Sequence, residues 1–237
     1  MSEVTLAAVC MNVVQDKAAN LERRLGFIGE AAGLGARLIV FPEVLLQGHL
    51  TLRGAPSEPE VIELTRYYRT TAETVPGPTT ELIGERAARH NMYIQIGVLI
   101  GYAMCFPETV RTYAVRGAVL ASMSTAWPLK EANAPDPEAD YYACSYDRLS
   151  RAHAIANRVF FISSNQVGPT RRFDYYDHSR VISPTGKVLA DGGREEKLVP
   201  VTVDIERGIE IARTDTLFFK KLLRGRRPET HGVLTQP

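Results

Sequence analysis

Residues Ile96–Pro128 read IGVLIGYAMCFPETVRTYAVRGAVLASMSTAWP, and this stretch predicts a strand, a sharp turn, a helix and a second strand. Ile96 to Ile100 is a short apolar run with β-branched residues, as expected for a buried strand. Pro107 suits the first turn of a helix, because its missing N–H would have no partner there. Gly117 suits the position just after the helix, and 118–123 returns as a strand. In α/β proteins such strand-to-helix turns often hold reactive side chains, because free backbone N–H groups there can bind an anion.

The remaining chain alternates predicted strands and helices, which favours a single layered α/β domain over residues 1–237. Thr5–Val9 predicts the first strand, Asp16 or a neighbour can cap the helix that follows, and Leu38–Phe41 predicts the second strand. A helix is predicted over Val61–Thr74, and the third strand is predicted over Met92–Ile100. Later segments are predicted as a helix at 146–157, strands at 159–163, 179–184, 186–190 and 198–203, and a tail at 214–237.

Composition excludes several classes of function. The 237 residues are 45% apolar and 23% charged with a net charge of +1, which gives no case for nucleic acid or a membrane surface as a partner. No apolar run approaches the ~20 residues of a membrane span, and the N-terminus lacks the basic region of a signal peptide, so we expect a cytoplasmic location. Cys10, Cys105 and Cys144 show no spacing of a disulfide framework or zinc site, and the histidines show no metal-ligand spacing.

The stretch quoted above resembles the nucleophile segment of the nitrilase superfamily, the carbon–nitrogen hydrolases. That pattern is Cys-Tyr-Asp-x-x-Phe-Pro-Glu, followed by Arg, Gly-Ala and a Trp-Pro pair. The matching residues are Tyr102, Phe106, Pro107, Glu108, Arg111, Gly117, Ala118, Trp127 and Pro128. Gly101 occupies the position of the family's nucleophilic Cys, and Ala103 occupies the position of the following Asp.

The resemblance extends over nearly the whole chain. Phe41-Pro42-Glu43 is similar to the family's opening motif, which makes Glu43 the general base, whereas without the resemblance Glu43 reads as a solvated residue at a strand end. Further matches are Arg151, Ala152, Asn157, Asn165, Gly168 and the RRPETHG segment of the tail. The resemblance implies an α-β-β-α sandwich that forms homo-oligomers, with a tail that commonly lies across a neighbouring subunit. Self-association of this kind can cover an exposed sheet edge.

One internal block of the family is missing. In family members the strand that matches Tyr93–Val98 is followed by a hairpin region with the catalytic Lys and a supporting Glu, and the nucleophile strand comes later. Here Ile96–Ile100 runs directly into the nucleophile turn. One strand therefore takes the place of both the strand that matches Tyr93–Val98 and the nucleophile strand. The sandwich is accordingly expected to lack one pair of strands. None of the chain's lysines has the matching context. Lys130 lies nearest to the site in sequence and reads more readily as an exposed loop lysine.

The family's chemistry shows what these differences mean. A Cys thiolate attacks the carbon, a Glu moves the proton and activates water, and a Lys stabilises the oxyanion, an electrostatic effect of about 3 kcal/mol or more. With Gly101 in place of the Cys, the remaining candidate nucleophile is Cys105, one helical turn away and just before a helix start. Its alternative role is that of a buried, inert cysteine. The resemblance also implies Tyr102, Trp127 and Asn165 as substrate-binding residues, with no cofactor and no metal.

The sequence therefore supports two functions from different classes. The first is a hydrolase of a non-peptide C–N bond in a small amide, N-carbamoyl or nitrile compound, with impaired or rerouted chemistry. The second is a catalytically inactive pseudoenzyme that keeps the pocket as a binding protein or oligomeric scaffold. A deletion variant of an active parent is a third reading.

Overall fold

The computed structural model describes residues 3–44, 46–48, 57–97, 99–130, 136, 139–168, 174–214, 222–230 and 232. In this part of the chain the strands are β1 Glu3–Cys10, β2 Ala36–Val40, β3 Tyr93–Gln95, β4 Leu120–Ser124, β5 Phe160–Ser164, β6 Arg180–Ile182, β7 Val188–Asp191 and β8 Lys197–Asp204. The α-helices are α1 Lys17–Gly33, α2 Glu58–Thr71, α3 Pro78–His90, α4 Pro107–Val115, α5 Tyr141–Asn157 and α6 Ile205–Thr214. Short 3₁₀ turns lie at Gly101–Cys105 and Pro228–Thr230.

The strands form two four-stranded sheets with the orders β3-β2-β1-β8 and β4-β5-β6-β7. Strands β1, β2 and β3 are parallel, and β8 returns antiparallel to β1 along its whole length. In the second sheet, β4 and β5 are parallel, while β6 and β7 complete an antiparallel meander. The parallel strands are joined through helices, as parallel pairing requires.

The two sheets pack face to face and carry helices on their outer sides. Between the sheets, residues such as Leu6 and Val40 meet Phe160 and Ile162. On the outer face of the first sheet, β1 packs against Ile28 of α1. Helices α4 and α5 cover the second sheet in the same way. Because β1 is buried on both faces, it reads as a continuous apolar run rather than an alternating one. The predicted α/β sandwich is confirmed.

Several local predictions are confirmed in detail. The Asp16 side chain accepts a hydrogen bond from the backbone N–H of Ala19 at 3.0 Å and caps α1. Pro107 is the first residue of α4, and Gly117 follows that helix with a φ of +103°, a conformation that glycine adopts without a steric penalty. Leu223 of the tail packs against the core of the same chain. Whether the tail also contacts a neighbouring subunit stays a prediction.

The third strand differs from the prediction. Among the described residues of this stretch, only Tyr93–Gln95 form a strand, whereas the apolar pattern predicts a strand over Met92–Ile100. Gly97 has a φ of +111°, which breaks the extended backbone, and Ile100 then forms an isolated parallel bridge with Ser124 in the other sheet. The chain therefore leaves the first sheet after Gln95 and reaches the second sheet before the turn at Gly101.

Two helices begin earlier than the sequence pattern predicts. Helix α2 begins at Glu58 rather than at Val61, because Ser57 and Glu60 form a capping box. Helix α5 begins at Tyr141, where the Asp140 side chain accepts hydrogen bonds from the first free N–H groups. Over the ranges that the structure describes, none of the helices combines the length and the hydropathy needed to traverse a lipid bilayer.

Candidate active site

A cavity of about 380 Å³ lies where the two sheets meet, beyond the ends of β2 and β4. The segment after β2 contributes Glu43, and the segment after β4 contributes Ala126, Trp127 and Pro128. The remaining lining residues are Gly101, Tyr102, Cys105 and Tyr142. The backbone N–H of Glu43 donates to the carbonyl oxygen of Thr125 at 3.1 Å, which joins the two strand ends directly. Residues as distant in sequence as Glu43 and Tyr142 thus converge on one cavity.

Glu43 is held firmly in this cavity. Its carbonyl oxygen accepts a hydrogen bond from Gln166 Nε2 at 2.9 Å. Its carboxylate accepts hydrogen bonds from the backbone N–H groups of Gly101 and Ala126. Burial raises the pKa of Glu43 above its ordinary value, and these two hydrogen bonds only partly oppose that effect. A carboxylate with a raised pKa in a cavity is suited to accepting a proton or an amide N–H near neutral pH.

Gly101 lies directly beside the Glu43 carboxylate. A Cβ atom added at Gly101 would lie 3.0 Å from Glu43 Oε2, a close but adjustable contact because the carboxylate is the end of a flexible side chain. The φ of Gly101 lies outside the left-handed region, so the backbone here does not require glycine. Glycine at this position thus leaves open the space in which a side chain could contact the Glu43 carboxylate.

Cys105 lines the same cavity from the end of the 3₁₀ turn Gly101–Cys105. The residue is exposed and its thiol is free. It lies two residues before Pro107, the first residue of α4. Exposure contradicts the alternative of a buried cysteine, and the turn places Cys105 and Glu43 around one cavity. Cys10 is buried between the sheets and Cys144 lines a different, polar cavity, so neither reaches this site.

Among the described lining residues there is no lysine. Lys17 pairs with Glu73 at 2.5 Å, and Lys197 pairs with Glu195 at 3.3 Å. The backbone N–H of Lys130 donates to the carboxylate of Asp140, and the Lys130 side chain is not part of the cavity wall. Lys220 and Lys221 lie outside the described residues. Within the described residues, no group of His, Cys, Asp and Glu side chains is arranged to hold a metal ion.

Tyr102 and Trp127 form part of the cavity wall, whereas Asn165 lies behind it. Tyr102 is 75% exposed and makes an edge contact with the ring of Phe106. The Trp127 indole N–H donates to the carbonyl oxygen of Tyr142 at 2.8 Å, which fixes the ring against the start of α5. Among the described lining residues, these aromatic side chains share the cavity wall with one carboxylate, that of Glu43.

Asn165 is fully buried and organises the backbone of that wall. Its Oδ1 accepts hydrogen bonds from the Trp127 backbone N–H at 2.7 Å and from Thr125 Oγ1 at 2.9 Å. Its Nδ2 donates to the carbonyl oxygens of Asp177 at 2.9 Å and Trp127 at 3.3 Å. Its side-chain hydrogen bonds are therefore made within the protein, and two of them fix the backbone of Trp127 in the cavity wall. Sequence reasoning missed Tyr142 and Gln166, since neither carries a motif signal of its own.

Replacing Asn165 with Ala is expected to destabilise the protein by about 2 kcal/mol, because the Trp127 N–H and the Thr125 hydroxyl would lose their buried acceptor. In a chain of this size that corresponds to a lower melting temperature by roughly 4 to 8 °C. Scanning calorimetry measures the change. Thr70→Ala, which removes an exposed hydroxyl on α2, is the matched control and should leave the melting temperature unchanged. Equal melting temperatures for Asn165→Ala and Thr70→Ala would contradict this role of Asn165.

Comparison with known proteins matches most of the chain. A family model described as carbon–nitrogen hydrolase matches residues 5–100 and 93–213. Residues 93–100 fall within both matched segments. A 2-oxoglutaramate amidase from Bacillus subtilis is 33% identical over 120 residues, which cover 51% of this chain and 42% of that relative. The chain thus matches less than half the length of that relative.

A longer alignment shows that the chain is shorter than one of its relatives. An omega-amidase from Bos taurus is 22% identical over 288 aligned positions, which cover 93% of this chain and 96% of the relative. Because the whole chain has 237 residues, the alignment includes positions for which this chain has no residue.

The solved structures agree on the fold. The crystal structure of a carbon–nitrogen hydrolase from Helicobacter pylori superposes with a TM-score of 0.77 at 15% identity and covers 99% of each chain. Two findings agree: the fold is a two-sheet sandwich with this order of strands and helices, and the family model matches most of the chain. The chain belongs to the carbon–nitrogen hydrolase family, within the nitrilase superfamily.

Proposed function

We propose that this protein binds a small amide, N-carbamoyl or nitrile compound in the cavity at Glu43, and that hydrolysis through a Cys-Glu-Lys site is lost or strongly impaired. The observation that carries the proposal is the pairing of Glu43 with Gly101. Glu43, the residue we propose as general base, is held by two backbone N–H groups, while the position beside it is a glycine and carries no nucleophile. Losing a covalent nucleophile removes most of the rate enhancement, by several orders of magnitude.

The cavity retains features that bind an amide. An ionised Glu43 can accept an N–H from an amide or carbamoyl nitrogen, and the aromatic side chains of Trp127, Tyr102 and Tyr142 offer apolar contact to the rest of the molecule. The amidase activities named for the Bacillus subtilis and Bos taurus relatives support the same class of ligand. The double match of residues 93–100 supports the absence of the lysine-bearing block, which would leave an oxyanion without its cation.

A second candidate function is slow hydrolysis with Cys105 as the nucleophile. The observation in its favour is that Cys105 is exposed and lines the same cavity as Glu43. In this scheme Glu43 takes the thiol proton and the thiolate attacks the amide carbon. Glu43 then returns the proton to the amide nitrogen, so that the C–N bond breaks and ammonia leaves. Water, deprotonated by Glu43, then hydrolyses the thioester and releases the carboxylic acid.

One experiment separates these functions. The purified chain is titrated calorimetrically with a short aliphatic amide, an N-carbamoyl amine and an aliphatic nitrile, and ammonia release is followed in parallel. The proposal predicts binding of at least one compound without ammonia release. Glu43→Ala should weaken that binding at least tenfold, while Glu81→Ala, a change on helix α3 outside the cavity, should leave it unchanged.

The other outcomes are equally informative. If ammonia is released and Cys105→Ser abolishes that release, the second candidate function is supported and binding without turnover is contradicted. Binding that Glu43→Ala leaves intact would place the ligand elsewhere and contradict the proposal. Neither binding nor ammonia release with any of the three compounds would contradict both functions.

A further inference from the structure

The carboxylate of Glu43 has a charge that no described side chain balances. The hydrogen bonds that hold it come from the backbone N–H groups of Gly101 and Ala126, and both donors are neutral. The described residues that line the cavity include no Lys, Arg or His. None of the ion pairs among the described residues includes Glu43. Its negative charge therefore acts on whatever enters the cavity, and it attracts a positively charged group most strongly.

Aromatic rings share the cavity with this carboxylate. Tyr102, Trp127 and Tyr142 all belong to its wall. The face of an aromatic ring carries negative potential and attracts cations, and the indole of tryptophan does so most strongly. Among the described residues, the arginines that lie over aromatic rings contact neither Tyr102 nor Trp127. Several such rings beside a carboxylate are the groups that proteins use to bind an alkylammonium ion.

The second sheet shows how this chain combines the same groups when it supplies the cation itself. The buried guanidinium of Arg180 lies 5.4 Å from the ring centroid of Tyr146 and 5.9 Å from that of Tyr176. It also forms ion pairs with the carboxylates of Asp147 at 2.6 Å and Asp191 at 3.0 Å. Rings and carboxylates thus surround one cation. In the cavity of the candidate site, the described residues supply the rings and the carboxylate but not the cation.

We propose that the ligand of this cavity is a cationic amide, a small amide that also carries an alkylammonium group. This inference rests on the proposed function, because it specifies the charge of the amide that binds at Glu43. The carboxylate attracts the ammonium group, and the rings of Trp127 and Tyr102 contact its alkyl groups in place of water. The cavity of about 380 Å³ has room for an amide with a short alkyl chain. An anionic amide would bring a second negative charge close to Glu43 and should bind most weakly.

Three amides of similar length test the charge. At neutral pH, 4-aminobutanamide is cationic, pentanamide is its neutral counterpart with a methyl group in place of the ammonium, and succinamate is anionic. Calorimetric titration of the full chain at low ionic strength should give a dissociation constant for 4-aminobutanamide at least tenfold below that of pentanamide, with succinamate binding most weakly. Added sodium chloride should reduce the advantage of the cationic amide, because salt screens the attraction between the charges.

Two pairs of variants test the groups that bind the cation. Glu43→Gln should bring the dissociation constants of 4-aminobutanamide and pentanamide to within about threefold of each other. Glu81→Gln, which removes a carboxylate on α3 outside the cavity, should leave their ratio unchanged. Tyr102→Leu should reduce the ratio about threefold, whereas Tyr102→Phe, which keeps an aromatic ring, should preserve it. Tyr102 is 75% exposed, so folding should not depend on this side chain, and circular dichroism checks each variant.

The outcomes separate this inference from the proposed function. Equal binding of 4-aminobutanamide and pentanamide, or tightest binding of succinamate, would overturn the inference and leave amide binding in place. A preference for the cationic amide that either Glu43→Gln or Tyr102→Leu leaves at its wild-type value would place the ammonium group elsewhere and overturn the inference as well. If none of the three amides binds, the proposed function is contradicted together with the inference.

Discussion

Gly101→Cys is expected to raise amide hydrolysis by a hundredfold or more, because it places a thiol beside the Glu43 carboxylate. The added Cβ lies 3.0 Å from Glu43 Oε2, so the carboxylate needs to move by only a few tenths of an ångström. A thiolate there can attack a bound carbonyl carbon, with Glu43 receiving the proton. The gain stays limited because the missing lysine would have contributed about 3 kcal/mol of oxyanion stabilisation.

The measurement is ammonia release from the amide that the wild-type protein binds, in a Cys105→Ala background. Removing Cys105 ensures that any new activity comes from the introduced thiol. Gly101→Ser is the matched control, since serine has nearly the same size and its hydroxyl is a much weaker nucleophile without further activation. If Gly101→Cys is no faster than Gly101→Ser, the cavity cannot support attack without the lysine, and the family chemistry is lost for more than one reason.

Glu43→Gln is expected to weaken amide binding about thirtyfold above pH 7 and to remove its pH dependence. Glutamine keeps the size of the side chain but replaces a carboxylate acceptor with a neutral one, and hydrogen bonds to charged groups contribute about 2 kcal/mol. Burial raises the pKa of Glu43 above 4.5, so wild-type binding should strengthen as the pH rises through that raised pKa. Calorimetric titration between pH 4.5 and 8 measures both effects.

The free energy of unfolding should change with pH in the direction opposite to that of ligand binding. A carboxyl group with a raised pKa in the folded state holds its proton more tightly there than in the unfolded chain. Its favourable contribution is fully present below the unfolded pKa and is lost as the pH rises through the folded pKa. Glu43→Gln should therefore flatten the decline of stability above pH 4.5. A variant whose stability and ligand binding follow the wild-type pH profiles would show that Glu43 does not titrate in this range.

The fold was predictable because its signals are local and agree with one another. Asp16 caps α1, Pro107 begins α4, and β1 reads as a strand that is buried on both faces. The length of β3 was not predictable from its apolar pattern. A strand at the edge of a sheet has one neighbour, and the positive φ of Gly97 ends the pairing although apolar residues continue to Ile100.

The candidate site was predictable only in part. Glu43, Gly101 and Tyr102 belong to short motifs, so a resemblance can assign them. The position of Asn165 depends on hydrogen bonds to Trp127, 38 residues earlier, and to Asp177, 12 residues later. Tyr142 reaches the cavity because α5 begins at Tyr141, and the signal for that early start is the capping side chain of Asp140. Contacts between residues so distant in sequence leave no periodic pattern.

The pairing of β1 with β8 has a consequence for the order in which this protein folds during synthesis. Residues 3–10 pair with residues 197–204, so the first sheet cannot be completed until most of the chain has left the ribosome. Until then, β1 has only β2 beside it and exposes an edge of uncharged residues from Val4 to Cys10. Contacts of such high sequence separation form late and slowly. The nascent chain is thus most prone to aggregate before β8 emerges, and a ribosome-associated chaperone would protect it most at that stage.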